Sequence, residues 1–546
     1  MDASYPRELE DVMHDILEKC GGLPLAIVSI ASVLSGYTSP GSREKWETLG
    51  KSIRCEMDNN PTIEEGLILE KQGFTLMEVA ESYLDELVRR NMIEPVRASD
   101  IGKAESYRVS GMILELMVSK AQEANFVSLL GRQYTGMLYD RVRRLSIHSS
   151  VENLADSPIK KQTAKRDSNV RVNVRHVRSL SVFVAHGDKL LDRLHNFILL
   201  RVLDLANCEV LTNGHLDCVC RMYLLKFLSV KGTNISKMPP EVGKLEDLQM
   251  FDVRDTCLPG LPETVTKLHK VENLKFSNRH GWHTMWRLPR GLKKMKELRE
   301  VAGAVLGNDI QVARELGELE QLQQLDIYIN SSPEPSKEVL REFANSLSKA
   351  YSLRHLNLGA TGYGQVGVLN FLHDLTAPPP LLRYIRISGC IDGGLPGWIM
   401  SLTYLVEFHM AWGGIVGDQL YDVLSWLPHL ETIGVERKCY NDNELVARAY
   451  HEFPSLVNLN VTSDAPLPKV FKFEERSMPK LETLLVNFAD KEEKSIVGIE
   501  HLHSLKEVKL TGKKDNRALN HALEELNVEN QRRSSSSQFR VVVRYE

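Results

Sequence analysis

The sequence from residue 200 to residue 279 repeats one pattern four times: LRVLDLANCEV (200–210), LKFLSVKGTNI (225–235), LQMFDVRDTCL (248–258) and VENLKFSNR (271–279). Each copy places apolar residues in the frame L-x-x-L-x-L, with a period of about 23 to 25 residues. A repeat of this length is typical of a short strand and a return segment, which together make one coil of a solenoid. Because a single coil cannot bury its apolar edge, we expect consecutive coils to stack around one continuous core.

The same frame recurs on both sides of this stretch. Its first residues are at positions 142, 177, 298, 322, 353, 382, 405, 430, 456, 481 and 505, and the copy at 298 is weak because Gly303 takes its third apolar position. This predicts an α/β solenoid over residues 136–515, a leucine-rich-repeat horseshoe with a parallel sheet on its concave face. One later coil is expected to contain a helix at 337–347. Residues 516–546 are predicted to form a C-terminal cap or tail, with a helix at 517–530 and a last strand.

The overall composition argues against several functional classes. A net charge of −4 over 546 residues gives no general attraction to nucleic acid or acidic lipid. The basic segment 159–176 has no interleaved aromatic residues, so we expect a solvated loop there. The eight cysteines include no C-x-x-C pair, which favours reduced thiols and no metal site. Because the start is no secretory signal and no apolar run could span a bilayer, we expect a cytoplasmic protein without a membrane span.

The N-terminal quarter follows a different, helical pattern. Residues 7–19 have apolar side chains at helical spacing, and two glycines end this predicted helix. The segment GLPLA follows, where proline suits the first turn of a second helix. A further amphipathic helix is predicted at 76–91, then a β-like segment and another helix within 106–130.

These segments resemble the ARC region of plant NB-ARC-LRR disease-resistance receptors of the coiled-coil type, in which GLPLA is a named motif. The resemblance implies a helical remnant of the first ARC subdomain at 1–57 and a partial winged-helix second ARC subdomain at 58–135. It also implies that complete family members bind ADP or ATP. The residues of this chain that match the family's nucleotide-contacting motif are Gly22, Leu23, Pro24 and Leu25.

Two departures from the family argue against nucleotide binding by this chain. The family's M-H-D motif, which the resemblance implies helps to hold ADP, has His and Asp where this chain has Ser110 and Gly111. A phosphate-binding loop needs G-x-x-x-x-G-K-[ST], but the G-K-S at 50–52 has Lys45 in place of the first glycine. We therefore expect no functional nucleotide site, no cofactor and no catalytic residues.

A protein partner is expected to bind the concave face. Side chains alternate along a strand, so the x residues of the frame face away from the buried leucines. Arginine and tyrosine are favoured anchors in protein interfaces, and a basic cluster with an aromatic residue suits a partner with an acidic patch. The candidates are Phe227, Arg354, His355, Arg383, Tyr384, Arg386 and His409, and the same alternation places Asp326, Asn357 and Glu407 on this face.

The resemblance implies a fragment of a plant innate immune receptor that acts in the defence response. Its repeats would hold the receptor inactive and recognise a pathogen effector or a guarded host protein, and in complete relatives they would also contact the receptor's own N-terminal domains. Two alternatives stay open. One is an ADP/ATP-dependent switch whose P-loop half is missing from the gene model. The other is a stand-alone leucine-rich-repeat scaffold for protein interactions.

Overall fold

The structure is a computed structural model. It describes residues 76–98, 104–109, 128–130, 142–147, 174–183, 191–281, 286–362, 367–462, 467–488, 494–534 and 537–545, with Gly111, Ile113, Leu114, Leu116 and Met117. The helices predicted before residue 76 lie outside the described residues, as do Gly22, Leu23, Pro24, Leu25 and Ser110. The chain divides into two compact units, Met1–Ser128 and Leu129–Glu546.

The first unit contains a helix followed by a β-hairpin. Helix α1 (Leu76–Arg89) is amphipathic and ends just before Asn91, whose φ of 56° is left-handed and stops the helix two residues earlier than its pattern predicts. Strand β1 (Ile93–Ala98) then pairs antiparallel with β2 (Ala104–Val109). The five described residues within 111–117 are helical, as expected, and Ile113 is buried among them.

The second unit is a solenoid of short strands. In chain order, the remaining strands are β3 (Ser128–Leu130), β4 (Arg144–Ile147), β5 (Ser179–Val182), β6 (Val202–Asp204), β7 (Phe227–Ser229), β8 (Met250–Thr256), β9 (Asn273–Asn278), β10 (Trp286–Arg287), β11 (Glu300–Leu306), β12 (Gln324–Ile329), β13 (His355–Ala360), β14 (Tyr384–Ser388), β15 (Glu407–Ala411), β16 (Thr432–Val435), β17 (Glu444–Ala447), β18 (Asn458–Val461), β19 (Val470–Phe473), β20 (Thr483–Phe488), β21 (Ser495–Val497), β22 (Glu507–Gly512) and β23 (Arg540–Tyr545). Most of them join one long parallel sheet, while β17, β19 and β21 form a separate three-stranded parallel sheet.

One buried row of side chains runs through the long sheet. Each strand pairs with the next coil in register at the central apolar residue of the frame. These residues are at most 3% exposed, and burial of each such side chain contributes about 1.5–3 kcal/mol. The row consists of Leu145, Leu180, Leu203, Leu228, Phe251, Leu274, Val301, Leu325, Leu356, Ile385, Phe408, Ile433, Leu459, Leu484 and Val508. The predicted solenoid with a parallel sheet is therefore confirmed.

The weak copy of the frame contains a β-bulge. The register between β11 and β12 shifts after Val301, and Ala304 rather than Gly303 lies opposite Ile327. Gly303 has a φ of 77°, and a Cβ built there would be 1.7 Å from the carbonyl oxygen of Phe276. Only glycine fits this position without a backbone shift, so the third apolar residue of this coil is displaced by one.

The return segments are short helices and turns. Several 3₁₀ turns start directly after a proline with φ near −65°, namely Pro239, Pro262 and Pro396, so these prolines remove no ladder hydrogen bond. The α-helices are α2 (Asn213–Val219), α3 (Ile310–Leu316), α4 (Lys337–Lys349), α5 (Gln419–Leu424) and α6 (Arg517–Arg532). Helix α4 confirms the helix predicted inside a coil.

The C-terminal segment consists of a helix and a last strand. Helix α6 is followed by β23, which pairs in parallel with β22 and extends the sheet by one strand. The side chain of Asn530 joins the two elements, because it donates to the carbonyl of Phe539 at 2.7 Å and accepts from its N–H at 2.9 Å. Among the residues that the structure describes, no helix is long and apolar enough to cross a membrane.

Candidate functional site

The sheet brings four of the predicted partner-binding residues together. His355 lies opposite Tyr384 on the next strand, and Arg386 lies opposite His409. Phe227 lies on β7, separated from this group by the strands β8 to β12. We call the group on strands β12 to β16 the concave platform. It comprises Asp326, Tyr328, His355, Asn357, Tyr384, Arg386, Glu407, His409 and Glu436.

Aromatic rings form the centre of the concave platform. The ring centroid of Tyr384 is 5.9 Å from that of His355 and 5.4 Å from that of His409, with tilts of 33° and 32°. His409 reaches over the next strand because Gly434 stands there, where a Cβ would come within 2.1 Å of its Nδ1. In the same way Tyr328 covers Gly359, where a Cβ would be 2.5 Å from ring carbons. Two glycines thus leave room for the rings.

The positive groups of the concave platform are paired with carboxylates. Arg386 Nη2 lies 2.5 Å from Glu436 Oε2, and the Nδ1 of His409 lies 3.4 Å from the other oxygen of Glu436. His409 Nε2 is 3.8 Å from Glu407 Oε2. Burial lowers the pKa of His409, which is 1% exposed, but the two glutamates outweigh this effect and the pKa is raised overall. The centre is therefore closer to neutral than the basic residues alone suggest.

Asp326 is the most perturbed carboxyl group of the concave platform. Burial raises its pKa to about 7, although Arg386, the side chain of Asn357 and the N–H of Gly303 oppose this shift. Its Oδ1 is shielded from solvent and accepts no hydrogen bond from the residues that the structure describes. Asn357 Oδ1 is shielded in the same way, and Glu407 Oε2 and His409 Nε2 have each other at 3.8 Å, beyond hydrogen-bond distance. Leaving a buried polar group without a hydrogen bond costs about 1–3 kcal/mol.

Two arginines of the predicted cluster lie at the edge of the concave platform. Arg354 and Arg383 precede β13 and β14, and the N–H of Arg383 donates to the carbonyl of Arg354 at 2.8 Å. Arg383 is exposed, whereas Arg354 is half-buried. The exposed guanidinium group of Arg383 can meet a carboxylate of a partner.

Sequence reasoning missed Tyr328, Glu436 and the two glycines of the concave platform. Tyr328 and Glu436 follow the third apolar residue of their frames, Ile327 and Val435, by one position. Extending the strand alternation one step beyond the frame would have placed both on the same face. No sequence pattern marks Gly359 and Gly434, because each makes room for an aromatic ring that comes from the preceding coil.

The repeats match a known family of proteins. A family model described as "Leucine-rich repeat region" matches residues 176–533. The chain belongs to this leucine-rich-repeat family. A second model, "Disease resistance protein Winged helix domain", matches residues 63–117, which include α1 and the β1–β2 hairpin.

The leucine-rich-repeat chain is also similar to plant disease resistance proteins. Disease resistance protein Pik-2 of Oryza sativa subsp. japonica is 28% identical over 92% of this chain and 56% of its own length. Disease resistance RPP8-like protein 3 of Arabidopsis thaliana is 23% identical over 93% of this chain and 59% of its own length. The chain thus spans a little over half of these relatives, and the expected resemblance is confirmed. A solved leucine-rich-repeat protein of Leptospira interrogans is 18% identical, with a TM-score of 0.38, over 67% of this chain and 78% of its own.

Of the two residues that stand where the family has His and Asp, the structure describes Gly111 but not Ser110. Gly111 is exposed and helical, and a Cβ built on it would meet no heavy atom within 4 Å. Among the residues described, no group of three or more His, Cys, Asp or Glu side chains could hold a metal ion.

Proposed function

We propose that this chain is part of a plant innate immune receptor whose leucine-rich repeats recognise a protein and restrain the receptor until that protein is present. The partner is a pathogen effector or a guarded host protein. The observation that supports this proposal is the concave platform, built on repeats of the disease-resistance type. The proposal places the chain in the cytoplasm, in keeping with the free thiols at Cys220 and Cys439.

The experiment that tests this proposal is a resistance assay on the complete gene. Tyr384→Ala and Arg386→Ala are introduced separately in the source plant, because they remove the central ring and the paired cation of the concave platform. We expect each variant either to lose resistance against the isolates that the wild-type gene controls or to trigger defence without infection. Lys506→Ala, which alters an exposed side chain on a distant coil, is the control. Unchanged resistance at equal protein levels in both platform variants would refute the proposal.

We further propose that the chain acts without catalysis and binds neither ADP nor ATP. The support is chemical: Gly111 offers no carboxylate where the resemblance implies one, and the sequence lacks the P-loop pattern. Isothermal titration of the purified chain with ADP and with ATP is the test. We expect no heat of binding above that of dilution. Saturable binding in the micromolar range would overturn this part of the proposal and favour the nucleotide-switch alternative.

A further inference from the structure

A row of large exposed side chains runs along the edge of the sheet where the strands begin. Tyr351, Leu381 and Tyr404 precede β13, β14 and β15 and are 66%, 42% and 56% exposed. Trp426, before β16, is 73% exposed. Single exposed apolar residues are common on protein surfaces, but exposed ones that recur just before consecutive strands are candidates for an interaction site.

Charged residues separate this row from the concave platform. Immediately before the first residue of four consecutive strands, the chain carries Arg354, Arg383, Val406 and Glu431. Backbone hydrogen bonds of 2.8 Å join each of these residues to the next, which places their side chains in consecutive coils. The charge along this line therefore runs from positive to negative. We call Tyr351, Arg354, Leu381, Arg383 and Tyr404 the Tyr/Arg edge.

Positive charge at Arg383 is left for a partner to meet. Arg383 is exposed and forms no ion pair within the described part of the chain. The nearby carboxylates do not neutralise it, because Glu436 contacts Arg386 and Glu407 faces His409. Tyrosine, tryptophan and arginine are also the residues most often found at energetic hot spots of protein interfaces. The composition of the edge thus fits a protein ligand that has both apolar and acidic side chains.

We propose that the Tyr/Arg edge docks a protein segment that carries carboxylates next to apolar side chains. This inference rests on the proposed function and specifies the chemistry of its partner. Neighbouring strands are about 4.8 Å apart, so the span from Tyr351 to Tyr404 is roughly 10 Å. An extended segment of about three residues covers that distance. One of its carboxylates lies opposite Arg383, and its apolar side chains pack on Tyr351, Leu381 and Tyr404.

The test uses the full chain and a phage-displayed library of random 12-residue peptides. Enriched peptides are synthesised with a fluorophore, and their affinity is measured by fluorescence anisotropy. We expect the enriched sequences to combine Asp or Glu with Leu, Phe or Trp. Tyr404→Ala and Arg383→Glu should each weaken binding about thirtyfold, the size of a hot-spot effect. Replacing the acidic residues of the peptide by Lys should restore binding to Arg383→Glu but not to the wild type.

The matched control is Tyr223→Ala. Tyr223 precedes β7 on the same edge and is 56% exposed, as Tyr404 is, but lies several coils away. Binding to this variant should stay within twofold of the wild type. The inference is overturned if no peptide is enriched, if the enriched peptides are neutral or basic, or if Tyr223→Ala weakens binding as much as Tyr404→Ala. It is also overturned if sedimentation velocity shows a dimer that Tyr404→Ala abolishes, because the occupant would then be a second copy of the chain.

The result of the peptide-binding test can be distinguished from the result of the resistance assay. If Tyr384→Ala abolishes resistance while the edge variants bind peptides like the wild type, the proposed function stands and the inference about the edge fails. If the edge binds acidic peptides as expected while the variants of the concave platform leave resistance unchanged, the edge remains a docking surface and the immune function fails.

Discussion

Replacing Gly434 by alanine tests how the concave platform is built. The new Cβ would lie 2.1 Å from Nδ1 of His409, whereas ordinary contacts are 3.4 Å or longer. The ring must therefore move by more than 1 Å, away from Glu436 and out of its packing against Tyr384. Overpacking of this kind costs about 1–3 kcal/mol. We expect Gly434→Ala to lower the free energy of unfolding by this amount.

A double-mutant cycle with His409→Ala identifies the cause. Once the imidazole is gone, the methyl group added by Gly434→Ala has space. Because alanine lowers the conformational entropy of the unfolded chain, we then expect the substitution to be neutral or to stabilise the fold by up to about 1 kcal/mol. Urea denaturation gives the four free energies, and hydrogen exchange of β15 and β16 reports on the same coils locally. Gly397→Ala is the control, because a Cβ there meets only the end of the Met400 side chain at 3.8 Å. An equal cost of Gly434→Ala in both backgrounds would refute the steric explanation.

Three further predictions concern stability. Because the folded state raises the pKa of both Asp326 and His409, it binds their protons more tightly than the unfolded state, so the free energy of unfolding should fall as pH rises from about 4 to above 7. Urea titrations across this range should show a weaker fall for Asp326→Asn, and a rise in stability with pH would contradict the assignment. Leu356→Ala truncates a residue of the buried row and should lower the free energy of unfolding by about 2–5 kcal/mol in the same assay. A decrease below about 1 kcal/mol would show that the coil repacks. Gly303→Ala should lower the melting temperature measured by circular dichroism, since its φ of 77° and the oxygen of Phe276 leave no room for a Cβ; an unchanged melting temperature would show that the bulge can relax.

Most of the solenoid could be predicted because its driving force is periodic. Leucine at a fixed spacing must be buried, and only stacked coils bury all copies at once, so the frame determines both strand and register. The sheet of β17, β19 and β21 was missed for the same reason: its strands carry no copy of the frame, and they pair only because the coils on either side are already aligned. The bulge at Gly303 depends on a carbonyl of the preceding coil, which the local pattern does not contain.

The candidate site was predictable in position but not in charge. Strand alternation placed His355, Tyr384, Arg386 and His409 on one face, and the register brings them together. Their ionic state depends on Glu436, which comes from a coil about 50 residues later than Arg386 and lies outside the frame. A count of basic residues along the sequence therefore overstates the positive charge of the face.

The two parts of this surface have different physical properties, which suggests different roles in recognition. On the concave platform the ion pairs hold side chains in fixed positions. Buried ion pairs add little net stability, but they can favour one arrangement of the side chains over others. Along the Tyr/Arg edge the side chains are exposed, so a partner gains free energy by burying their apolar area. A partner that contacts both parts would gain most of its binding free energy at the Tyr/Arg edge. The shape and charge of the concave platform would determine which partners fit. Substitutions at the edge should therefore change how tightly a partner binds, whereas substitutions on the platform should change which partner is accepted.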